Sequence, residues 1–263
     1  MLKRLGCVLL LPSVWAGPAL AAPAAEAPPP VVVMTPPAAG PRAPLPDTPA
    51  RRAAALKLAQ SAQTLETLKM GSLRGFAEGL RHVAAQPGSL AEIEKKYPGF
   101  TEEMIKRGSP VMAREIERDA PDLWRRMADI YVAELTDDEL TRYIAFYSSP
   151  TGGKLMRLIN ENADVDPLIK DLEQTGNMSV NAHEQAVDKA AAASISAMSA
   201  SELIAVLQFN TENRATNERV APKVMLAVSE WQKQVDDGPI IKEMGEIMAT
   251  LVADMGKRVP SKP

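Results

Sequence analysis

The chain has 263 residues, with 30 lysines and arginines against 33 aspartates and glutamates, two histidines and a single cysteine. A net charge of −3 argues against a nucleic-acid partner, because phosphate binding needs a concentrated basic surface. One cysteine and two histidines leave no disulfide within the chain and almost nothing from which to build a transition-metal site.

Lys3 and Arg4 precede an apolar run from Leu5 to Ala16, and the small-residue triplet Ala19-Leu20-Ala21 follows. This order predicts a signal peptide over residues 1–21, cleaved before Ala22, and hence a periplasmic or secreted protein. A membrane anchor needs about 20 consecutive apolar residues. This run is shorter, and Pro12 and Pro18 interrupt it. Cys7 lies near the start of the apolar run, where a lipoprotein would carry it directly after that run, so it is expected to leave with the signal. The exported chain is then thiol-free, and loss of Lys3 and Arg4 takes its net charge from −3 to about −5. No later stretch predicts a transmembrane segment.

Residues 22–50 hold ten of the 22 prolines and only three charges, Glu26, Arg42 and Asp47. Such a segment buries too little apolar surface to offset its ordering entropy, which predicts a disordered linker. At about 3.1 Å per residue it reaches up to about 90 Å when fully extended.

From residue 51 to 263 the apolar periodicity is helical, with no run of alternating β-branched and polar residues. The expected fold class is all-α, a multi-helix array. Helices are predicted from Arg51 to Ala85, Ser89 to Tyr97, Glu102 to Arg118 with a restart at Pro110, Pro121 to Glu134, Asp137 to Ser148, and Pro150 to Glu173. Further helices are predicted from Ser179 to Ala197, Ala200 to Phe209, Glu212 to Val235, and Pro239 to Lys257. Pro87-Gly88, Pro98-Gly99 and Gly238-Pro239 punctuate them, and Ser149-Pro150 supplies an N-cap followed by proline at the first helical position. Thr136-Asp137-Asp138-Glu139 and Ser199-Ala200-Ser201-Glu202 both read as capping boxes.

The two boxes lie 63 positions apart, and at that shift Leu140, Ile144 and Phe146 face Leu203, Leu207 and Phe209. In each copy a helix ends, a box opens a short helix and an apolar face of like spacing follows. This pattern predicts two related helical hairpins, an internal repeat over about 120–175 and 183–236, packed on each other.

The run from Ala133 to Leu158, with its capped acidic start and its turn Phe146-Tyr147-Ser148-Ser149-Pro150-Thr151-Gly152-Gly153-Lys154, resembles the bacterial family known as domain of unknown function 2059. The resemblance is strongest over about residues 120–175. It implies an all-helical, secreted or periplasmic protein of a Gram-negative bacterium, and no activity, because the family itself is uncharacterised. The second copy departs from the pattern after Phe209, reading Asn210-Thr211-Glu212-Asn213 without Pro, Gly or Lys.

That turn is the candidate interaction or anion-binding site, with Tyr143, Phe146, Tyr147, Ser149, Pro150, Gly152, Gly153 and Lys154 as its residues. A nucleotide loop is ruled out, since Ser148 stands where the first glycine is required and Leu155 where a hydroxyl must follow the lysine. An anion held by the amides of 151–153 beside Lys154 is physically allowed, and a tight interhelical turn is the plainer reading. His183-Glu184 begins a zinc-protease motif whose second histidine is Val187, so no metal and no cofactor are expected. Glu134, Asp137, Asp138, Glu139, Asp164 and Asp166 supply carboxylates without advertising a cleft, and capping accounts for those at 137–139. Trp124, Tyr131, Tyr143, Phe146 and Tyr147 concentrate in one hairpin and read as core before ligand pocket. Met244, Met248, Leu251, Val252 and Met255 form an apolar stripe on the last helix, read as core before soft metal ligands. The basic pairs Arg51-Arg52 and Arg125-Arg126 read as solvated faces.

The expected function is therefore a non-enzymatic, envelope-associated module that contacts another envelope protein or itself through helix faces. The competing reading is a hydrolase of cell-envelope carbohydrate with an unrecognised carboxylate site. A lipid-binding helix is disfavoured by the lack of a cationic apolar face.

Overall fold

The computed structural model describes residues 45–175, 180–234 and 238–258. The expected signal peptide, Cys7 and most of the linker lie outside the described residues, as do the side chains of His183, Glu184 and Val187. Among the described residues there are eleven helices and no strand: α1 (Pro49–Ala62), α2 (Leu65–Ala85), α3 (Ser89–Lys96), α4 (Phe100–Glu134), α5 (Asp137–Tyr147), α6 (Pro150–Asn162), α7 (Asp166–Thr175), α8 (Val180–Ser196), α9 (Ala200–Glu212), α10 (Arg214–Gln234) and α11 (Gly238–Arg258). None of them is long and apolar enough to cross a membrane.

The 35-residue α4 is the shared axis, against which α1, α2, α3, α10 and α11 all pack. Its C-terminal half joins α1, α5 and α10 in one core, with Leu58, Met127, Tyr131, Tyr143 and Val224 fully enclosed. Its N-terminal half joins α2, α3 and α11 around Phe76, Phe100, Met104, Met112 and Met244. The methionine-rich stripe of α11 is thus a core face. It approaches α4 at Gly108, where a Cβ would stand 2.7 Å from the Phe76 ring and 2.9 Å from the Met244 methyl group. A third, smaller core of Ile159, Leu168, Ile169, Ala186 and Ala190 holds α6, α7 and α8 together.

The element boundaries correct the sequence expectation in four places. Pro49 and Ala50, expected in the linker, open α1 behind Thr48, whose hydroxyl accepts from the Arg51 amide at 3.3 Å. The helix expected from Arg51 to Ala85 breaks at Gln63-Thr64 without glycine or proline. The Thr64 hydroxyl caps α2 by accepting from the Thr67 amide at 3.2 Å, and Trp124 Nε1 donates to the Gln63 carbonyl at 2.7 Å, satisfying a group that the break exposes.

The helices expected at Glu102 to Arg118 and Pro121 to Glu134 are instead one helix running through Pro110 and Pro121. Each proline removes one ladder donor, a cost of about 3 kcal/mol in isolation, which packing against five other helices outweighs here. Finally, the helix expected from Pro150 to Glu173 stops at Ala163. Asp164 there accepts from the Asp166 amide at 3.0 Å and is held by Lys189 at 2.6 Å, and α7 begins at Asp166.

Candidate functional site

The junction of α5 and α6 is built on the first capping box. The Thr136 hydroxyl accepts from the Glu139 amide at 3.2 Å, and a Glu139 carboxylate oxygen accepts from the Thr136 amide at 2.8 Å. The other oxygen of Glu139 reaches across to α10, where it accepts from Thr216 Oγ1 at 2.7 Å and from Arg219 at 3.1 Å. Burial raises the Glu139 pKa, but the Thr136 amide, the Thr216 hydroxyl and the Arg219 guanidinium outweigh it and hold the group down to about 2. Arg219 also lies 3.7 Å from Glu134, which pairs in addition with Lys223. Two carboxylates therefore share one guanidinium.

One turn further along α5, the buried Tyr143 hydroxyl donates to Asn217 of α10. Burial pushes the Tyr143 and Tyr147 hydroxyls well above their ordinary pKa, so both stay neutral donors. Tyr143, Phe146 and Tyr147 close on Phe209 of α9. Phe146 stacks on Phe209 at 3.9 Å with an interplanar angle of 7°, while Tyr143 and Tyr147 present themselves edge-on at 5.0 and 5.9 Å. The aromatic hairpin is a packed core. Trp124 packs against the edge of the same core, half-buried beside a shallow groove of about 400 Å³ between α1 and α4, lined also by Leu56, Gln60, Pro121 and Ala128.

The turn itself is self-contained. Ser149 Oγ donates to the Phe146 carbonyl at 2.6 Å and accepts from the Gly152 amide at 3.1 Å, and the Gly153 amide donates to the Ser149 carbonyl at 2.9 Å. Pro150 occupies the first helical position of α6 and faces outward, as does Gly153. A Cβ at Gly152 would collide with the Phe146 carbonyl, so this glycine lets the two backbones meet. Lys154 reaches α9, where its Nζ lies 2.7 Å from Glu202. The Gly152 and Gly153 amides are thus bonded inside the turn, and Lys154 is paired with Glu202.

The second capping box mirrors the first. The Ser199 hydroxyl accepts from the Glu202 amide at 3.3 Å and Glu202 accepts from the Ser199 amide at 2.8 Å. Lys154, then the Ser199 amide and hydroxyl, hold the Glu202 carboxylate down to about 2. Of the other carboxylates considered, Asp137 pairs with Arg51 and Asp164 with Lys189. No group of three or more His, Cys, Asp or Glu side chains able to hold a metal occurs among the described residues. His82 lies against Gln86, 2.6 Å from its side-chain amide.

The sequence reading missed the α10 partners Thr216, Asn217 and Arg219, and Asn213, which accepts from Arg142 at 3.4 Å. The available signal was spacing. Asn213, Thr216 and Asn217 share a helix face with the buried Val220 and Val224, a polar patch interrupting an apolar stripe.

No curated protein and no solved structure matches the chain. The segment 121–162, which spans the end of α4, all of α5 and α6 and the turn between them, matches the model of the family described as "Uncharacterized protein conserved in bacteria (DUF2059)".

Proposed function

We propose that the chain is an exported, non-enzymatic helical module of the bacterial envelope that works by presenting helix faces to protein partners. Residues 1–21 would direct export, and the proline-rich stretch after them would space the helical body from its point of attachment. The observation that carries this reading is how the chemistry-bearing groups of the turn are used. Glu139, Tyr143 and Lys154 are consumed in joining α5 and α6 to α9 and α10, and Ser149 in closing the turn between α5 and α6. A general acid of a carbohydrate hydrolase needs a raised pKa, whereas Glu139 sits near 2.

The paired capping boxes favour origin by duplication. Each box glutamate caps its own helix and is also held by the helix that follows the other box: Glu139 by Thr216 and Arg219 of α10, Glu202 by Lys154 of α6. Two copies of one hairpin packed together give such an exchange without further assumption.

Fractionation with N-terminal sequencing, followed by crosslinking in intact cells, tests the proposal. The expected result is a periplasmic chain beginning at Ala22 that forms discrete protein adducts. A chain that stays uncleaved in the cytoplasm would overturn it. Tyr143 and Tyr147 make poor probes because they are enclosed; crosslinkers belong at outward positions such as Pro150 and Gly153.

A further inference from the structure

We propose that the proline-rich stretch folds back onto its own helical body, laying residues 41–44 in the groove between α1 and α4 against Trp124. The inference rests on the reading of that stretch as a spacer and sets how far it reaches.

α1 and α4 run antiparallel, since Arg51 bonds the carbonyls of Val132 and Leu135 at one end of the pair and Trp124 bonds that of Gln63 at the other. The groove between them runs from Arg52 and Asp129 to Gln60 and Pro121. From position 52 to position 60 of a helix is about 12 Å. Four residues of polyproline helix, at about 3.1 Å each, cover that length. Leu56 on one wall is a large apolar side chain left 38% exposed. On the other wall the Trp124 N–H is spent on the Gln63 carbonyl, which fixes the ring and leaves the groove its apolar surface.

Where the chain enters the body decides the occupant. Arg52 is held by Asp47 at 2.6 Å and by Asp129 at 2.8 Å, so the stretch leading into α1 arrives at the mouth of this groove and on its side of the helix. The described residues begin at Leu45, two positions before Asp47. Immediately beyond them, Pro44 and Pro41 are three positions apart, one turn of a polyproline helix, and so share an edge. With that edge turned inward, Pro44 meets Leu56 and Pro41 meets the Trp124 ring, the contacts by which aromatic grooves take proline ridges. Between Glu26 and Asp47 the only charge is Arg42. The charges on the groove rim already have partners, Arg52 and Asp129 in each other and Arg125 in Asp122, so apolar surface is what the groove has to offer. A segment tethered this closely is present at an effective concentration of about millimolar, which favours it over the same residues of another molecule. Residues 22–40 remain as the spacer, with a reach of about 60 Å in place of about 90 Å.

Paramagnetic broadening in the purified chain tests this. A nitroxide is placed at Arg42→Cys with Cys7→Ser, and the Nε1–H resonance of Trp124 is read with and without Pro41→Glu and Pro44→Glu together. The expected result is strong broadening that the two glutamates relieve by at least about threefold, as the docked form passes from majority to minority. Leu56→Glu, which changes the groove wall and leaves the stretch intact, should relieve it likewise. Broadening that neither change relieves overturns the docking, because it then reports only that the label is attached nearby. Should L56E lower the melting temperature, the proline variant decides alone, since it alters none of the described residues. Broadening that fades on dilution from about 200 to about 20 µM overturns the fold-back and assigns the groove to the stretch of a second copy. A chain that stays uncleaved in the cytoplasm would overturn the envelope reading and leave this measurement unaffected.

Discussion

Phe146 and Phe209, each ten residues beyond the hydroxyl that caps its helix, stack face to face at 3.9 Å and 7°. The contact joins equivalent positions of the two capped helices and sits beside the exchange in which Glu139 is held from α10 and Glu202 from α6. Rings, carboxylates and caps thus fix one arrangement of four helices.

The stack makes Phe146 and Phe209 a coupled pair. Each single alanine variant is expected to destabilise the chain, Phe209 by about 3 kcal/mol as a buried ring and Phe146 by less because it is half-buried. The double variant should lose less than the sum of the two, by about 1 kcal/mol. Urea unfolding of the four proteins measures this, and strict additivity would mean that the rings stabilise only by burial.

The adjacent glycines of the turn should respond in opposite directions. At Gly152 a Cβ meets the backbone at Phe146 and Tyr147, which cannot yield as a flexible side chain can, so Gly152→Ala is expected to cost about 2 kcal/mol or more. Nothing lies within 4 Å of a Cβ at Gly153, so Gly153→Ala should stabilise by up to about 1 kcal/mol through helix propensity. Thermal melts of the two variants read the difference directly. Equal effects would remove the close-approach explanation for Gly152.

What the sequence disclosed and what it hid follow a physical division. Capping boxes, the Ser149-Pro150 start and the apolar faces are local patterns, and all of them appear where spacing placed them. Hidden were features set by distant partners. Pro110 and Pro121 stay inside α4 because helices far away in sequence brace it, and α1 ends at Gln63 where Trp124 can satisfy its carbonyl. Arg51 misled for the same reason: as half of a basic pair it reads as solvated, yet it is 6% exposed, and its partners lie more than 80 residues on. At the candidate site, the residues of the turn were legible, while Thr216, Asn217 and Arg219 were not, since only the fold brings α10 to α5.

Acid should loosen the α5–α10 and α6–α9 ties. Glu139 and Glu202 both fall from an ordinary value of 4.5 to about 2 on folding. A carboxylate with a lowered folded pKa contributes stability that is fully present above its unfolded pKa and lost as the pH falls through the folded value. Stability should therefore be flat in this contribution from pH 7 to about 5 and decline from there toward pH 2. For the enclosed Glu139 the loss is on the order of 1–2 kcal/mol after allowance for solvent screening. Glu139→Gln should be less stable at pH 7 and show a shallower decline between pH 5 and 3. An unchanged slope in that variant would assign the acid sensitivity to other groups.

Arg51 is the strongest test of how α1 is locked to the rest. Its guanidinium donates to the carbonyls of Val132 at 3.0 Å and Leu135 at 2.7 Å, closing the C-terminus of α4, and pairs with Asp137 at the start of α5. One planar group thus serves the end of one helix and the beginning of the next, and the positive charge lies where the α4 dipole favours it. Arg51→Met keeps the apolar stem but leaves two carbonyls unpaired beneath α1, at an expected cost of about 2–4 kcal/mol. Arg51→Lys should rescue little of this, because an ammonium is a point donor on a flexible stem and cannot span three acceptors in the guanidinium's fixed fork. Asp137→Asn should cost well under 1 kcal/mol, since Asp137 is 75% exposed and its pairing is solvent-screened. The order Met, then Lys, then Asn in loss of urea midpoint is the prediction. A lysine variant as stable as wild type would show that charge alone, and not the forked geometry, holds α1 in place.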